Sequence, residues 1–301
     1  MADRFFPNVM PSFVNEDIQE EDKVTDEDSL MKLLSTPYTS LSKQFQRSGL
    51  DLKEKIVMET WGLSGQAMHD FTLYSGNLGT ALLLYKSYQV TSNESDLFLC
   101  LEIVKACDSA SLASRDVTFI CGRAGVCALG AVAAKHANDE ALQGRLSESI
   151  RRGIMHVLLD VELKPDELED IKGTLKYMIN NCFPSGNYPI SEEDRKRDVL
   201  VHWCHGAPGI ALTLVKAAKV FGDKEFLEAA INAAEVVWNS GLLKRVGICH
   251  GISGNAYVFI SLYQLTGNIE FLYKAKAFAC FLLDRAQKLT SAGEMHGGDN
   301  V

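Results

Sequence analysis

A glycine pattern that recurs along the chain constrains its fold more than any other feature. Segments 203–209 (Trp-Cys-His-Gly-Ala-Pro-Gly) and 249–254 (Cys-His-Gly-Ile-Ser-Gly) both contain Cys-His-Gly-x-x-Gly, and their first glycines are 45 residues apart. The same Gly-x-x-Gly spacing begins at Gly76 and at Gly122, 46 residues apart. A period of this size is typical of helical repeats, so the chain is predicted to consist of repeated units.

Each unit is predicted to be a helical hairpin that starts at its Gly-x-x-Gly loop. Apolar stretches follow the second glycine at 210–215 and 256–260, and turns follow at Gly222 and Gly267 before a second helix. We therefore expect an all-α fold. Inner and outer helices are expected to alternate and close into an α/α toroid, with the Gly-x-x-Gly loops at one end. An open superhelix of stacked hairpins is the alternative.

One unit is predicted to lack its first loop. The interval from Gly122 to Gly206 is 84 residues, close to two periods, but the expected first glycine falls at Ile150. The distance to that position is roughly 17 residues shorter than the period. The outer helix at 146–152 is therefore expected to run directly into the next inner helix, whose pattern is seen at 153–160.

Further predictions concern the two ends of the chain. Residues 1–28 are acidic and are predicted to form a flexible N-terminal arm, whereas residues 29–301 are predicted to form the partial toroid domain. A last partial unit begins at 295–298. Because the final hairpins are missing from the predicted ring, Phe278, Phe281 and Leu282 are expected to lose some of their packing partners.

Composition and charge exclude several classes of function. The net charge is −9, from 30 basic and 39 acidic residues, which argues against a nucleic-acid surface. The N-terminus lacks the pattern of a secretory signal, and the eight cysteines are then expected to be thiols or metal ligands in the cytoplasm. The longest apolar stretch, 119–134, is interrupted by Arg123, so no transmembrane helix is predicted.

The repeated Cys-His pairs predict a zinc site. Cys204, Cys249 and His250 would supply three ligands and leave one position open, as in catalytic zinc sites. His205 is either a fourth ligand, which would close the site, or a neighbour of the metal. Two thiolates and one imidazole suit the activation of an incoming thiol for alkylation or Michael-type addition.

A cationic pair precedes the second of these motifs. Lys244 and Arg245 are candidates to receive an anionic group such as a glutathione carboxylate, although a solvated pair in a loop is the alternative. A nucleotide site is not predicted, because the Gly-x-x-Gly loops lack the preceding strand that a dinucleotide-binding fingerprint requires.

From about residue 50 to residue 301, these motifs resemble the lanthionine synthetase C-like (LanC-like) family, in its eukaryotic, plant-type branch. The resemblance implies an α/α toroid of seven hairpins, of which this chain would be an incomplete version. It implies zinc ligands at Cys204, Cys249 and His250, and His205 as an acid–base candidate. Bacterial members are zinc enzymes that add peptide Cys thiols to dehydroalanine or dehydrobutyrine. Eukaryotic members are linked to glutathione binding and to its addition to dehydroamino acids.

Two departures from that family leave the activity open. The family has a His-Gly-x-x-Gly loop in the unit before residue 203, and its chain continues beyond the last Gly-Gly. Three alternative functions remain open. The chain is a zinc enzyme that adds a Cys or glutathione thiol to a peptide or protein substrate, a zinc- and glutathione-binding protein without turnover, or a signalling protein peripheral to the plasma membrane.

Overall fold

Helices make up the regular structure of the residues that the computed structural model describes, which are 4–14, 28–62, 70–153, 164–193 and 197–296. In chain order the helices are α1 (Ser29–Ser35), α2 (Tyr38–Val57, followed by a π-helical turn at Met58–Gly62), α3 (Asn77–Thr91), α4 (Glu94–Ser111), α5 (Arg123–His136), α6 (Glu140–Gly153), α7 (Pro165–Asn180), α8 (Ala207–Phe221), α9 (Lys224–Ser240), α10 (Ile252–Thr266) and α11 (Ile269–Ser291). The predicted all-α fold class is confirmed. None of these helices is long and apolar enough to cross a membrane.

The chain divides into two compact units. Met1–Leu41 and Pro165–Val301 form one, here called the terminal unit, and Ser42–Lys164 form the other, the central unit. The predicted boundary at residue 28 and the predicted single domain at 29–301 remain predictions. Both the arm and the closure of the hairpins into a ring remain predictions.

The central unit contains two of the predicted hairpins. Helix α3 packs against α4, and α5 packs against α6. Both hairpins start directly after the first glycine of a Gly-x-x-Gly loop, because Gly76 and Gly122 are the N-cap residues of α3 and α5. The core of this unit consists of apolar side chains from all four helices, among them Leu78, Leu84, Ile103, Val104, Val126 and Leu146, each at most 1% exposed.

Helix α6 passes without a loop through the position where one was missing from the repeat pattern. Residues 146–152 all lie within this helix, as the sequence predicts. The predicted inner helix at 153–160 lies outside the described residues from position 154 onward.

Two further hairpins, α8 with α9 and α10 with α11, form most of the terminal unit. Their turns are at Gly222 and Gly267, which adopt left-handed conformations with φ of +67° and +69°. The next residue in each turn, Asp223 or Asn268, caps the following helix by accepting a backbone N–H with its side chain. The period therefore places equivalent turns at equivalent positions.

The expectation that aromatic residues near the C-terminus lose their partners is wrong. Phe278 is fully buried, with its ring centroid 5.1 Å from that of Phe259 and 6.0 Å from that of Trp238. Phe281 is 8% exposed and packs against Phe6 at 5.9 Å. Its partner comes from the N-terminal segment, which the repeat pattern alone does not place there.

Residues 4–14 of the predicted N-terminal arm pack against other residues of the terminal unit. The Phe6 N–H donates to the Leu242 carbonyl at 2.7 Å, and the Phe13 ring lies 5.7 Å from that of Tyr273. These aromatic contacts bury apolar surface that an arm in solvent would expose. The acidic residues 15–27, on which the prediction of flexibility depends, lie outside the described residues.

Two glycines inside helices of the central unit should respond oppositely to alanine. A Cβ on Gly130 would lie 2.5 Å from Leu146 Cδ1 and 2.7 Å from Val104 Cγ1, whereas a Cβ on Gly144 has nothing within 4 Å. We expect Gly130→Ala to lower the free energy of unfolding by about 1–3 kcal/mol through overpacking. Gly144→Ala should raise it by about 0.5–1 kcal/mol. Urea unfolding of the full chain would measure both, and a stabilising Gly130→Ala would show that this contact is not tight.

Candidate metal centre

Two loops of the terminal unit carry the candidate ligands, and each precedes a helix. Residues 202–206 lead into α8, and residues 247–251 lead into α10. The Trp203 N–H donates to the Cys249 carbonyl at 3.0 Å, which joins the two loops. Glycine is required at Gly209, because a Cβ there would overlap the Trp203 carbonyl oxygen. The repeated glycine therefore lets the Cys-His loop lie directly on the first turn of its helix.

The three predicted ligands meet around the imidazole of His250. Its Nε2 lies 3.1 Å from Cys204 Sγ and 3.9 Å from Cys249 Sγ. Around a tetrahedral zinc, sulfur and nitrogen ligands are separated by about 3.5 Å, so the two observed distances lie on either side of that value. Cys249 is 8% exposed, whereas Cys204 is exposed. The donor set of two thiols and an imidazole fits zinc.

A residue that the sequence analysis did not assign, His202, also belongs to this cluster. Ligand atoms of His202, Cys204 and His250 all lie within 4.8 Å of one another, and Cys249 is outside this closest group. Burial lowers the pKa of His202 to about 4, helped by the nearby His250 and Arg245. Its imidazole is therefore neutral at neutral pH, the form that binds metals. It lies two residues before Cys204 in the sequence, but a lone histidine there has no spacing that marks it as a donor.

His205 lies beside the cluster. Its Nδ1 is 3.1 Å from Cys204 Sγ, and its backbone exchanges hydrogen bonds with that of His202. It is not part of the group of mutually close donor atoms, whereas His202 is.

A cationic cavity of about 560 Å³ opens next to the cluster. The predicted pair Lys244 and Arg245 lines it, together with Arg4. The other described lining residues are Leu200, His202, His205, Leu243, His250 and His296, and none of these is acidic. A positive, partly enclosed site of this kind favours an anionic ligand.

The backbone holds that cavity together from three distant parts of the sequence. The Lys244 N–H donates to the Arg4 carbonyl at 3.2 Å, and the His296 N–H donates to the Lys244 carbonyl at 2.9 Å. Arg4 and His296 were not predicted as site residues. The first falls in the presumed arm and the second in the last partial unit, and only their pairing with Lys244 brings them to the site.

A second cavity, of about 790 Å³, is lined in part by the Cys204 loop. Its walls are mostly apolar and include Met178, Ile190, Trp203 and Ile210. His205 lines both this cavity and the cationic one.

The remaining buried cysteines are unsuited to metal binding or to nucleophilic chemistry. Burial raises the pKa of Cys100 and Cys107 to about 12 and that of Cys280 to about 11. It also raises the pKa of Cys127. These thiols remain protonated at neutral pH, whereas metal binding requires the thiolate.

The described residues thus define an all-α protein whose helical hairpins present a thiol–imidazole cluster beside a cationic cavity. The family model for "Lanthionine synthetase C-like protein" matches residues 67–152 and 151–301. "LanC-like protein GCL1" of Arabidopsis thaliana is 35% identical over 365 residues, which cover 88% of this chain and 84% of the relative. The chain belongs to the lanthionine synthetase C-like family.

Two other proteins are similar over smaller parts or more distantly. "Glutathione S-transferase LANCL1" of Danio rerio is 48% identical over 110 residues, 36% of this chain and 27% of that protein. Among solved structures, "Nisin cyclase" matches with a TM-score of 0.41 and 12% identity, covering 81% of this chain and 76% of that one.

The family match divides at the position of the predicted internal gap. The two segments matched by the family model meet at residues 151–152, within the junction where the sequence predicts a missing loop. The alignment with the Arabidopsis relative spans 365 residues, more than the 301 residues of this chain, so it includes positions that this chain lacks.

Proposed function

We propose that this chain binds one zinc ion through Cys204, Cys249 and His250 and activates a Cys or glutathione thiol for addition to a dehydroamino acid. The proposal depends on the position of two thiols near one imidazole: the Sγ atoms of Cys204 and Cys249 lie 3.1 and 3.9 Å from His250 Nε2. Zinc, when bound, would lower the pKa of the incoming thiol so that it reacts as a thiolate.

The cationic cavity is proposed to hold the anionic end of the thiol substrate. Arg4, Lys244 and Arg245 line it close to His250. Glutathione carries two carboxylates, and the similar protein of Danio rerio is named "Glutathione S-transferase LANCL1". Binding a carboxylate through two or three cations fixes the orientation of the thiol and raises its local concentration at the reacting atoms.

His205 is proposed to be the proton donor. In the reaction, the thiol loses its proton, the sulfur forms a bond to Cβ of the dehydroamino acid, and Cα takes up a proton. The Nδ1 of His205 lies 3.1 Å from Cys204 Sγ and the residue lines both cavities, which supports this role. The apolar cavity would then receive the side of the acceptor that carries Cβ.

Zinc content and turnover test this function directly. Elemental analysis of the purified chain should find one zinc per chain, and glutathione with a dehydroalanine peptide should give a thioether product detectable by mass. A chain that contains no zinc after purification and takes up none would contradict the proposal.

Alkylation of cysteines should show whether Cys204 is a zinc ligand. Cys121, Cys182 and Cys204 are the exposed cysteines of the described residues. We expect iodoacetamide at neutral pH to modify all three in the metal-free chain, and zinc to slow modification of Cys204 by about tenfold or more. Cys121 and Cys182 are internal controls whose rates should not change. Equal rates at Cys204 with and without zinc would remove it from the ligand set.

Neutralising the cationic pair should weaken glutathione binding. Each hydrogen bond to a charged group contributes about 1.5–3 kcal/mol, so the double variant Lys244→Gln/Arg245→Gln should raise the Kd by roughly 10–100-fold even if part of the energy is lost to solvent. Lys216→Gln, a residue of the apolar cavity, is the matched control. Calorimetry of the zinc-loaded chain measures both. An unchanged Kd in the double variant would exclude the pair from the binding site.

A second function, zinc and glutathione binding without turnover, is supported by the internal gap. The loop with the family's His-Gly-x-x-Gly is the predicted missing piece, and the family match divides into two segments at the same place in the chain. Binding of zinc and glutathione without any thioether product would favour this alternative. A signalling role, a cytoplasmic location and association with the plasma membrane remain predictions.

A further inference from the structure

Three of the four Gly-x-x-Gly loops close with the same backbone hydrogen bond. In each, the N–H of the residue after the first glycine donates to the carbonyl seven residues earlier, at 2.9 Å. The three pairs are Asn77 to Asp70, Arg123 to Asp116, and Ile252 to Arg245. This bond joins the start of the loop to the first turn of the helix, and it uses one of the N–H groups that a helix leaves unpaired at its N-terminus.

The fourth loop, which carries Cys204, closes differently. The equivalent groups are the Ala207 N–H and the Leu200 carbonyl, and the side-chain amide of Asn187 lies between them. Asn187 Oδ1 accepts the Ala207 N–H at 2.8 Å, and its Nδ2 donates to the Leu200 carbonyl at 3.0 Å. One amide group therefore takes the place of a direct backbone bond.

The inserted amide coincides with a change in the backbone of this loop. Gly206 has φ of +106°, whereas the equivalent Gly76, Gly122 and Gly251 have φ of −103°, −113° and −138°. A Cβ on Gly206 would lie 3.0 Å from Asn187 Oδ1 and would overlap the Leu200 carbonyl. The Cys204 loop therefore has its own conformation, and Asn187 is in contact with the residue that differs.

Asn187 is itself rigidly held. It is 2% exposed, and its Nδ2 also donates to Asp198 Oδ1 at 2.9 Å. Ser185 Oγ donates to the other carboxylate oxygen of Asp198 at 2.6 Å and accepts the Asn187 N–H at 3.2 Å. A buried amide with all of these partners fixes the two ends of the loop relative to each other.

A second buried amide holds the neighbouring carbonyl. Asn255, which is fully buried in α10, donates from Nδ2 to the Val201 carbonyl at 3.1 Å and to the Gly241 carbonyl at 2.9 Å. The two residues immediately before His202 are therefore both held by asparagine side chains. The backbone carbonyls of both residues that precede the loop segment with His202, Cys204 and His205 are therefore held in place.

We propose that Asn187 is a positioning residue that gives the Cys204 loop the conformation in which Cys204 Sγ reaches His250. It acts through the backbone of residues 200–207. The effect on zinc affinity rests on the proposed function, but the effect on the loop does not, so the two can be tested separately.

Hydrogen exchange in the metal-free full chain tests the effect on the loop. Asn187→Ala removes the bridge, and exchange of backbone amides at 200–207 should become faster by about tenfold or more, because two to three hydrogen bonds that oppose local opening are lost. Asn268→Ala, which removes the N-cap of α11, is the matched control: it should lower the melting temperature without changing exchange at 200–207. Unchanged exchange in Asn187→Ala, or equally fast exchange in the control, would overturn the proposal.

A second variant separates the bridge from the contact with Asp198. Asn187→Asp keeps the size of the side chain but loses the donor to the Leu200 carbonyl and places a carboxylate against Asp198. Combining it with Asp198→Asn removes the repulsion but does not restore the donor to Leu200. Exchange at 200–207 should therefore stay fast in the double variant. A return to the original rate would overturn the proposal, since the Asp198 contact would then be what matters.

Metal binding provides the independent readout. In the zinc-competent chain, Asn187→Ala should weaken zinc by roughly 10–100-fold and alter the thiolate-to-metal absorption band of the cobalt-substituted protein, whereas Asn268→Ala should change neither. An unaltered affinity and cobalt spectrum would contradict a positioning role. If the original chain binds no zinc, the proposed function fails, and the exchange experiment still decides whether Asn187 holds the loop.

Discussion

Zinc binding is expected to be lost in His250→Ala and retained in His205→Ala. His250 is the residue around which the candidate ligands meet, and its removal leaves two thiols without the nitrogen that joins them. If the binding free energy of about 10–16 kcal/mol typical of structural zinc is shared among three or four ligands, one ligand contributes roughly 10²–10³-fold or more in affinity. His205 only contacts a ligand, so its removal should cost about tenfold, the low end for such neighbours.

Competition with a chromophoric zinc chelator would measure these affinities on the full chain. Cys204→Ala and Cys249→Ala should resemble His250→Ala, and His202→Ala should resemble His205→Ala. The structure also indicates an alternative ligand set, because the donor atoms of His202, Cys204 and His250 form the closest group. If His202→Ala abolished zinc binding and Cys249→Ala kept it, the ligand set would be His202, Cys204 and His250.

Restoring the missing loop is expected to increase turnover more than any single substitution. Insertion before Gly153 of about 17 residues that include a His-Gly-x-x-Gly motif would complete the repeat period. The added histidine supplies a proton-transfer group, an effect typically worth ~10²–10⁴-fold in rate. The assay is glutathione addition to a dehydroalanine peptide, followed by mass, with the zinc content of both chains determined first.

The control for this experiment is the same insertion with alanine in place of its histidine. It should restore the length of the unit and any gain in thermal stability without the gain in rate. Equal turnover by the original chain and by both insertion variants would show that the predicted gap before Gly153 does not limit the activity.

The repeat period and the residues near each turn were sufficient to predict the hairpins. Helix α8 starts after Gly206 and α10 after Gly251, and the turns at Gly222 and Gly267 fall where the sequence predicts them. These features depend on local chemistry: apolar side chains spaced for one helix face, glycine where the backbone needs a positive φ, and a polar N-cap. The loop-free run of α6 through 146–152 followed from the same spacing.

The period also predicted that Cys204 and His250 would meet, since equivalent positions of adjacent repeats lie side by side. It did not identify His202, because a lone histidine beside a motif has no spacing that marks it as a donor. Its inclusion depends on the fold of the loop, in which the His202 and His205 backbones are hydrogen-bonded.

Only the tertiary structure decided what surrounds that centre. Arg4 reaches the cationic cavity because its carbonyl accepts the Lys244 N–H, 240 residues along the chain, and Phe6 covers Phe281 by the same docking of the N-terminal segment. Asn187 bridges the Cys204 loop from an irregular segment that has no periodic pattern. The sequence by itself determined the helices, their turns and the identity of most candidate ligands, because those depend on residues within one repeat or at equivalent positions of two. Contacts between segments without a common period depend on how the whole unit packs, and so the tertiary structure decided them.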